Sequence, residues 1–245
     1  MKPVRIDILG TPVDCVTMQG ALTAAQEMLR GDRPHSILAV NPEKVIRARE
    51  DAVLRGQLSA ANLLIPDGIG VVLAGRWLHR QTLERVPGSE LMPHLCHTAA
   101  SQGHAVFLYG AKPDVIERAA AHLRHTYPRL QIAGTQHGYL SDADMPALIT
   151  RINQSGAAIL FVALGSPRQE QWIAQYLPQL SVRIVQGVGG TFDVLAGTVK
   201  RAPVWCRAWH LEWLYRLVTN PGRASRQLAL PIFAFDVVRH RMTNR

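Results

Sequence analysis

The sequence predicts an α/β fold: a mainly parallel sheet with helices on both faces, followed by a C-terminal helical appendage. Three observations predict it. Between residues 35 and 190, short apolar runs alternate with segments of helical period. Those runs are apolar throughout, as strands buried on both faces must be. After about residue 200 the strands stop and two long helical patterns follow.

"VRIDILGTPVDCVT" (4–17) reads as two short strands around Gly10-Thr11-Pro12, a hairpin or edge ribbon. "MQGALTAAQEMLR" (18–30) is helical and stops near Gly31. "HSILAV" (35–40) is a buried strand, and Asn41-Pro42 opens a helix. "NLLIP" (62–66) is a strand and "GIGVVLAGRWL" (68–78) a helix. "HAVFLYG" (104–110) leads into the amphipathic "KPDVIERAAAHLRHTYP" (112–128). "LQIAG" (130–134), "AAILFVALG" (157–165) and "VRIVQGVGG" (182–190) are further strands. Helices fit "DADMPALITRINQ" (142–154) and "PRQEQWIAQYL" (167–177), and one follows the last strand. Two helices, divided at Pro221-Gly222, account for "VWCRAWHLEWLYRLV" (204–218) and "RASRQLALPIFAFDVVRHR" (223–241). Trp209, Trp213 and Leu217 share a helical spacing that reads more simply as core than as a ligand platform. The division expected is an α/β body over 1–200 and an Arg-rich helical appendage over 201–245.

Composition limits the function classes. With 245 residues and 47% hydrophobic content the chain can bury a sizeable core. Its formal charge of +9 suggests an anionic partner. Eight arginines beyond residue 200, opposed only by Glu212 and Asp236, contribute +6 of that charge. A nucleic-acid-binding protein is one reading of this excess. Against it, the tail interleaves arginine with large apolar residues, which suits a membrane interface better. Cys15, Cys96 and Cys206 have neither disulfide nor metal-ligand spacing, which fits a reducing cytoplasm. The amino terminus lacks the apolar region of a signal peptide, and "LALPIFAF" (228–235) is too short to span a bilayer.

A Rossmann-like body binds ligands beyond the carboxyl ends of its strands. Asn41, Asp67, Gly110, Gly134, Gly165 and the loop 187–190 stand at those ends. From spacing alone, Asn41 and Asp67 each read first as helix caps, and a capping carboxylate at that edge can also act as a base. "VQGVGGTFDV" (185–194) looks superficially like a dinucleotide loop, but Phe192 stands where the third glycine belongs. That disfavours a nucleotide-dependent oxidoreductase. The turn in "FLYGAKPDV" (107–115) lacks the Gly-Lys-Ser/Thr of a P-loop. The histidines show no paired ligand spacing, so no metal is expected.

Taken in order, "NPEKV" (41–45), "PDGIGVV" (66–72), "RVPGSEL" (85–91), "HGYL" (137–140), "LGSPRQEQW" (164–172), "GVGGTFDVLAGTVKRAP" (187–203) and "LEWLYRL" (211–217) resemble the WecG/TagA/CpsF glycosyltransferase family. Each motif alone is weak; the ordered set, from about residue 5 to 226, is specific. The resemblance implies an inverting transferase that needs neither metal nor cofactor. It would move a sugar from a UDP-sugar to a polyprenyl-diphosphate-linked sugar at the inner face of the bacterial cytoplasmic membrane. N-acetylmannosamine is the first expectation for that sugar, with a uronic acid or glucose as the alternative.

The resemblance also assigns roles. Asp67 matches the family's proposed base, Asn41 a neighbouring orienting residue and Arg85 an arginine near the substrate. Gln169 and Glu170 match a motif near the donor. Gly138, Tyr139 and Asp193 fall around the nucleotide. Arg216, Arg223 and Arg226, with Arg201 in support, would meet the diphosphate and the anionic membrane. Nucleic acid is not an expected partner, and a homo-oligomer is compatible with the reading. Three departures bear on specificity: Ala39 stands where many members have Thr, Arg168 replaces the usual Lys, and His210 the usual Gly.

Overall fold

The structure is a computed structural model that describes residues 3–200, 202–203, 206, 209, 213–215 and 228–243. A two-stranded antiparallel hairpin, β1 (Arg5–Ile8) and β2 (Thr11–Asp14), precedes helix α1 (Met18–Arg30). Then come β3 (His35–Val40), α2 (Pro42–Glu50), α3 (Ala52–Ala60), β4 (Leu63–Pro66), α4 (Ile69–His79), α5 (Gly88–Gln102) and β5 (Ala105–Gly110). The body continues with α6 (Pro113–Thr126), β6 (Gln131–Gln136), α7 (Met145–Gln154), β7 (Ile159–Ala163), α8 (Arg168–Tyr176), β8 (Ile184–Gly187) and α9 (Thr191–Leu195). A last helix, α10, covers Ala229–Thr243.

The six strands β3 to β8 form one parallel sheet in the order β4-β3-β8-β7-β5-β6. Successive strand residues point to opposite faces, and both faces are buried. Leu38, Leu64, Phe107, Leu160 and Val185 meet α2, α3, α4, α7, α8 and α10 on one face. Ile37, Leu63, Val106, Ile159 and Ile184 meet α1, α5, α6 and α9 on the other. The apolar runs predicted as strands are therefore doubly covered. Two helices, α3 and α5, occupy stretches for which the sequence reading had no element.

The hairpin closes the free edge of β4. Asp14, 1% exposed, accepts from Arg5 Nε and Nη2 at 2.7 and 2.9 Å. Its Oδ2 also accepts from Leu64 N of β4 at 2.8 Å. One carboxylate thus satisfies an edge amide and the guanidinium that spans the gap. Asp14→Ala leaves that amide and Arg5 without their partner, and should cost about 2–3 kcal/mol in a urea melt. An unchanged midpoint would show the latch to be idle.

Helix α10 lies against α2 and α4. It buries Phe233 and Val237, and Asp236 pairs with Arg49 of α2. Its opposite side exposes Ile232, Phe235, Val238 and Met242, with Leu228 just before it. On α4, Leu73 and Trp77 are likewise exposed. Trp209 and Trp213 are exposed, at 76% and 39%, which corrects the core reading for those two; Leu217 lies outside the described residues. No helix among the described residues is long and apolar enough to cross a membrane.

Candidate active site

The chain leaving β3 enters α2 on one face of the sheet, whereas the chain leaving β8 enters α9 on the other. Adjacent strands that feed opposite faces open a crevice at their carboxyl ends. Most of the residues singled out from the sequence gather there.

Asn41 directly follows β3 and caps α2: its Oδ1 accepts from Lys44 N at 2.9 Å, with Pro42 and Glu43 in the first turn. The capping role expected for Asn41 is therefore present. For Asp67 the capping expectation needs correction. Helix α4 starts at Ile69, and its N-cap is Gly68, which has no side chain to offer. Asp67 stands one residue earlier and is half-buried, its backbone N donating to Val40 O at 2.8 Å. Gly68 adopts φ +116°, a region that favours glycine. A Cβ there would lie 3.4 Å from Pro42 Cδ and 3.9 Å from Asn41 Cβ, so the Asp67 and Asn41 turns are packed together.

The segment after α4 returns over this edge. Val86 N donates to Pro66 O at 2.8 Å, which brings Arg85 beside the end of β4. Arg85 is mostly buried and has Nη2 3.5 Å from Glu90 Oε1 of α5. The first residue of α5, Gly88, sits over the crevice: a Cβ there would lie 3.7 Å from both Ala39 Cβ and Gly187 O. Gln186 Nε2 holds it by donating to Gly88 O at 3.1 Å. The methyl group of Ala39 thus faces the amino end of α5, and a threonine hydroxyl at 39 would point into the same space.

Gln169 and Glu170 lie in the first turn of α8, against β8. Gln169 Oε1 accepts from Gly189 N at 3.0 Å. Glu170 is 0% exposed and pairs with Lys44 Nζ at 2.7 Å. Burial alone would push the Glu170 carboxyl up, but Lys44 and the Gln169 amide outweigh it and hold the group below the usual carboxylate range. Asp193 is in the first turn of α9, its Oδ2 3.8 Å from where a Cβ on Gly190 would be.

Gly138 and Tyr139 follow β6 at the far edge of the sheet. The loop bends back: Gly138 N donates to Ala111 O at 2.9 Å, and a Cβ on Gly138 would lie 2.7 Å from Leu164 Cδ2. Tyr139 is exposed. Arg201, Arg216, Arg223 and Arg226 lie outside the described residues. The structure therefore unites Asn41, Asp67, Arg85, Gln169 and Glu170 around the ends of β4, β3 and β8. Asp193 stands just beyond the loop 187–190, and Gly138 and Tyr139 stand apart. Among the described residues no three His, Cys, Asp or Glu side chains cluster as a metal site.

Lys44 and Gln186, both buried beneath the crevice, were not among the site residues expected from the sequence. Lys44 did leave a signal: it shares the inward face of α2 with Val45 and Ala48, at spacings that bury a side chain. Gln186 left only its place inside an apolar strand.

Fold and site define an α/β protein with a polar crevice at the carboxyl edge of a parallel sheet, where this architecture takes its ligands. The profile of the glycosyl transferase WecG/TagA/CpsF family matches residues 6–245. The N-acetylglucosaminyldiphosphoundecaprenol N-acetyl-beta-D-mannosaminyltransferase of Bacillus subtilis (strain 168) is 38% identical over 203 residues, which is 83% of this chain and 78% of that protein. The protein of the same name from Bacillus spizizenii is 37% identical over 204 residues, 83% of this chain and 79% of that protein. The chain belongs to the WecG/TagA/CpsF family and is a glycosyltransferase.

Proposed function

We propose that this chain transfers N-acetylmannosamine from a UDP-sugar to a polyprenyl-diphosphate-linked N-acetylglucosamine, with inversion and with Asp67 as general base. The observation that carries the reading is the position of Asp67. It is a half-buried carboxylate at the carboxyl end of β4, packed beside Asn41 and reached by the Arg85 segment. An inverting transfer needs one base to take the proton from the acceptor hydroxyl as that oxygen attacks the anomeric carbon. The relatives' names supply the sugars and the lipid-linked acceptor.

In this reading the leaving diphosphate is neutralised by arginines rather than by a metal ion. Arg85 serves from the body; Arg216, Arg223 and Arg226, with Arg201, serve from the appendage over 201–245. The acceptor lies at a lipid surface, and the chain meets that surface peripherally, on the cytoplasmic side. The exposed apolar stripe of α10, with Arg239 and Arg241 on the same helix, is the docking face.

A donor panel tests the proposal. Purified protein is offered UDP-N-acetylmannosamine, its uronic acid and UDP-glucose, with a short-chain polyprenyl-diphosphate N-acetylglucosamine as acceptor. Mass spectrometry should show transfer from UDP-N-acetylmannosamine, at a rate that EDTA leaves unchanged. Exclusive use of another donor would shift the substrate assignment, strict dependence on added divalent metal would overturn the metal-free step, and silence with every donor would end the reading.

A further inference from the structure

Five polar groups form a continuous link beneath the crevice. Lys44 Nζ donates to Ala39 O at 2.5 Å and pairs with Glu170 Oε1 at 2.7 Å. The same oxygen accepts from Gln169 Nε2 at 2.9 Å. Gln169 Oε1 in turn accepts from Gly189 N at 3.0 Å. Lys44, Gln169 and Glu170 are 6%, 4% and 0% exposed. The link starts at the carboxyl end of β3, on the wall that holds Asn41 and Asp67. It ends on the loop after β8, the opposite wall.

Stability alone is a weak reason for such a pair. Burying two charges costs desolvation that apolar side chains of the same volume avoid. What the pair supplies here is placement. The ammonium fixes the β3 carbonyl, and the carboxylate fixes which way the Gln169 amide faces. With Nε2 committed to Glu170, Oε1 is turned to the Gly189 amide. The fit is close, because a Cβ on Gly187 would lie 3.0 Å from Gln169 Nε2.

We propose that Lys44 and Glu170 are positioning residues that set the two walls of the crevice against each other through Gln169. Glu170 acts from inside the protein, without touching substrate. This departs from the substrate-binding role that the sequence resemblance implies for it. The identity of the reaction rests on the function proposed above; the link itself does not.

Three variants test the idea: Lys44→Met, Glu170→Gln and the two combined. Each single change leaves one buried charge without its partner, so both singles should lose thermal stability and activity. The double variant removes both charges and should recover most of the melting temperature. It should also regain activity relative to the singles, yet stay about tenfold or more below wild type in kcat/KM, because a loosened wall misplaces the reacting groups. Amide hydrogen exchange over residues 186–192 should quicken in the folded double variant while β5 and α6 stay protected. Lys44→Arg, which keeps the charge, should fold and fall between wild type and the double.

A folded double variant with wild-type exchange at 186–192 and wild-type kcat/KM would make the pair merely structural and overturn the proposal. So would Glu170→Gln and the double being equally inactive with wild-type exchange, since that pattern belongs to a carboxylate that contacts substrate. If the wild-type protein transfers none of the sugars offered, the functional reading fails. The exchange experiment still decides the link.

Discussion

Asp67→Asn is expected to lower kcat by about 10²–10⁴-fold, the usual worth of a positioned general base, while UDP binding and the melting temperature stay close to wild type. The substitution conserves shape and removes the basic oxygen. Folding should survive because the amide keeps the shape of the carboxylate and one accepting oxygen. The backbone bond from Asp67 N to Val40 O does not depend on the side chain, and the N-cap of α4 is Gly68. Asn41 makes a useful contrast, because its side chain does cap α2. Asn41→Ala would therefore lose about 1 kcal/mol of stability together with any catalytic contribution, and its effects would be harder to separate. Near-normal turnover by Asp67→Asn would remove Asp67 as the base and move the search to the other carboxylates of the crevice. Glu170 is a poor substitute, being closed on Lys44.

The contrast between Asn41 and Asp67 also marks how far the sequence could be read. Both were legible as polar residues at strand ends, because the apolar runs before them are long enough to identify a strand buried on both faces. Which of them caps a helix turned on a one-residue shift, Gly68 against Asp67, and such shifts leave no trace in periodicity. Helix α5 was hidden for another reason. It opens on Gly88 after Pro87 and contains Pro93, residues that read as breakers, although Leu91, Met92, Leu95, Cys96 and Ala99 recur at helical spacing and form its buried face. The strand order β4-β3-β8-β7-β5-β6 depends on long-range pairing. It decides that Asn41 is next to both Asp67 and the loop 187–190. The Lys44–Glu170 pair joins residues more than a hundred positions apart. Lysine is so commonly a solvated residue that its inward register on α2 carries little weight in the sequence alone.

Replacing Ile232, Phe235 and Met242 together by Glu should weaken binding to phosphatidylglycerol-containing vesicles by about 100-fold, counting about 1 kcal/mol for each apolar side chain withdrawn from the lipid. The three recur along one side of α10, which is turned away from the buried Phe233 and Val237. Because they are exposed, the variant should fold, and its activity on a short, water-soluble acceptor should remain. Activity on an acceptor embedded in vesicles should fall with the binding. Truncation after residue 200 is the harsher change. It removes the stripe, the arginines assigned to the diphosphate, and the Phe233 and Val237 contacts with the body. It should therefore abolish vesicle binding and most activity on both acceptors. The two variants separate two jobs of the same segment. If diphosphate neutralisation came wholly from the body, the truncated protein would still serve the soluble acceptor. If the triple variant bound vesicles as tightly as wild type, α10 would not be the docking face. Trp77 and Leu73, exposed on the helix that begins just after Asp67, would then be the next residues to change.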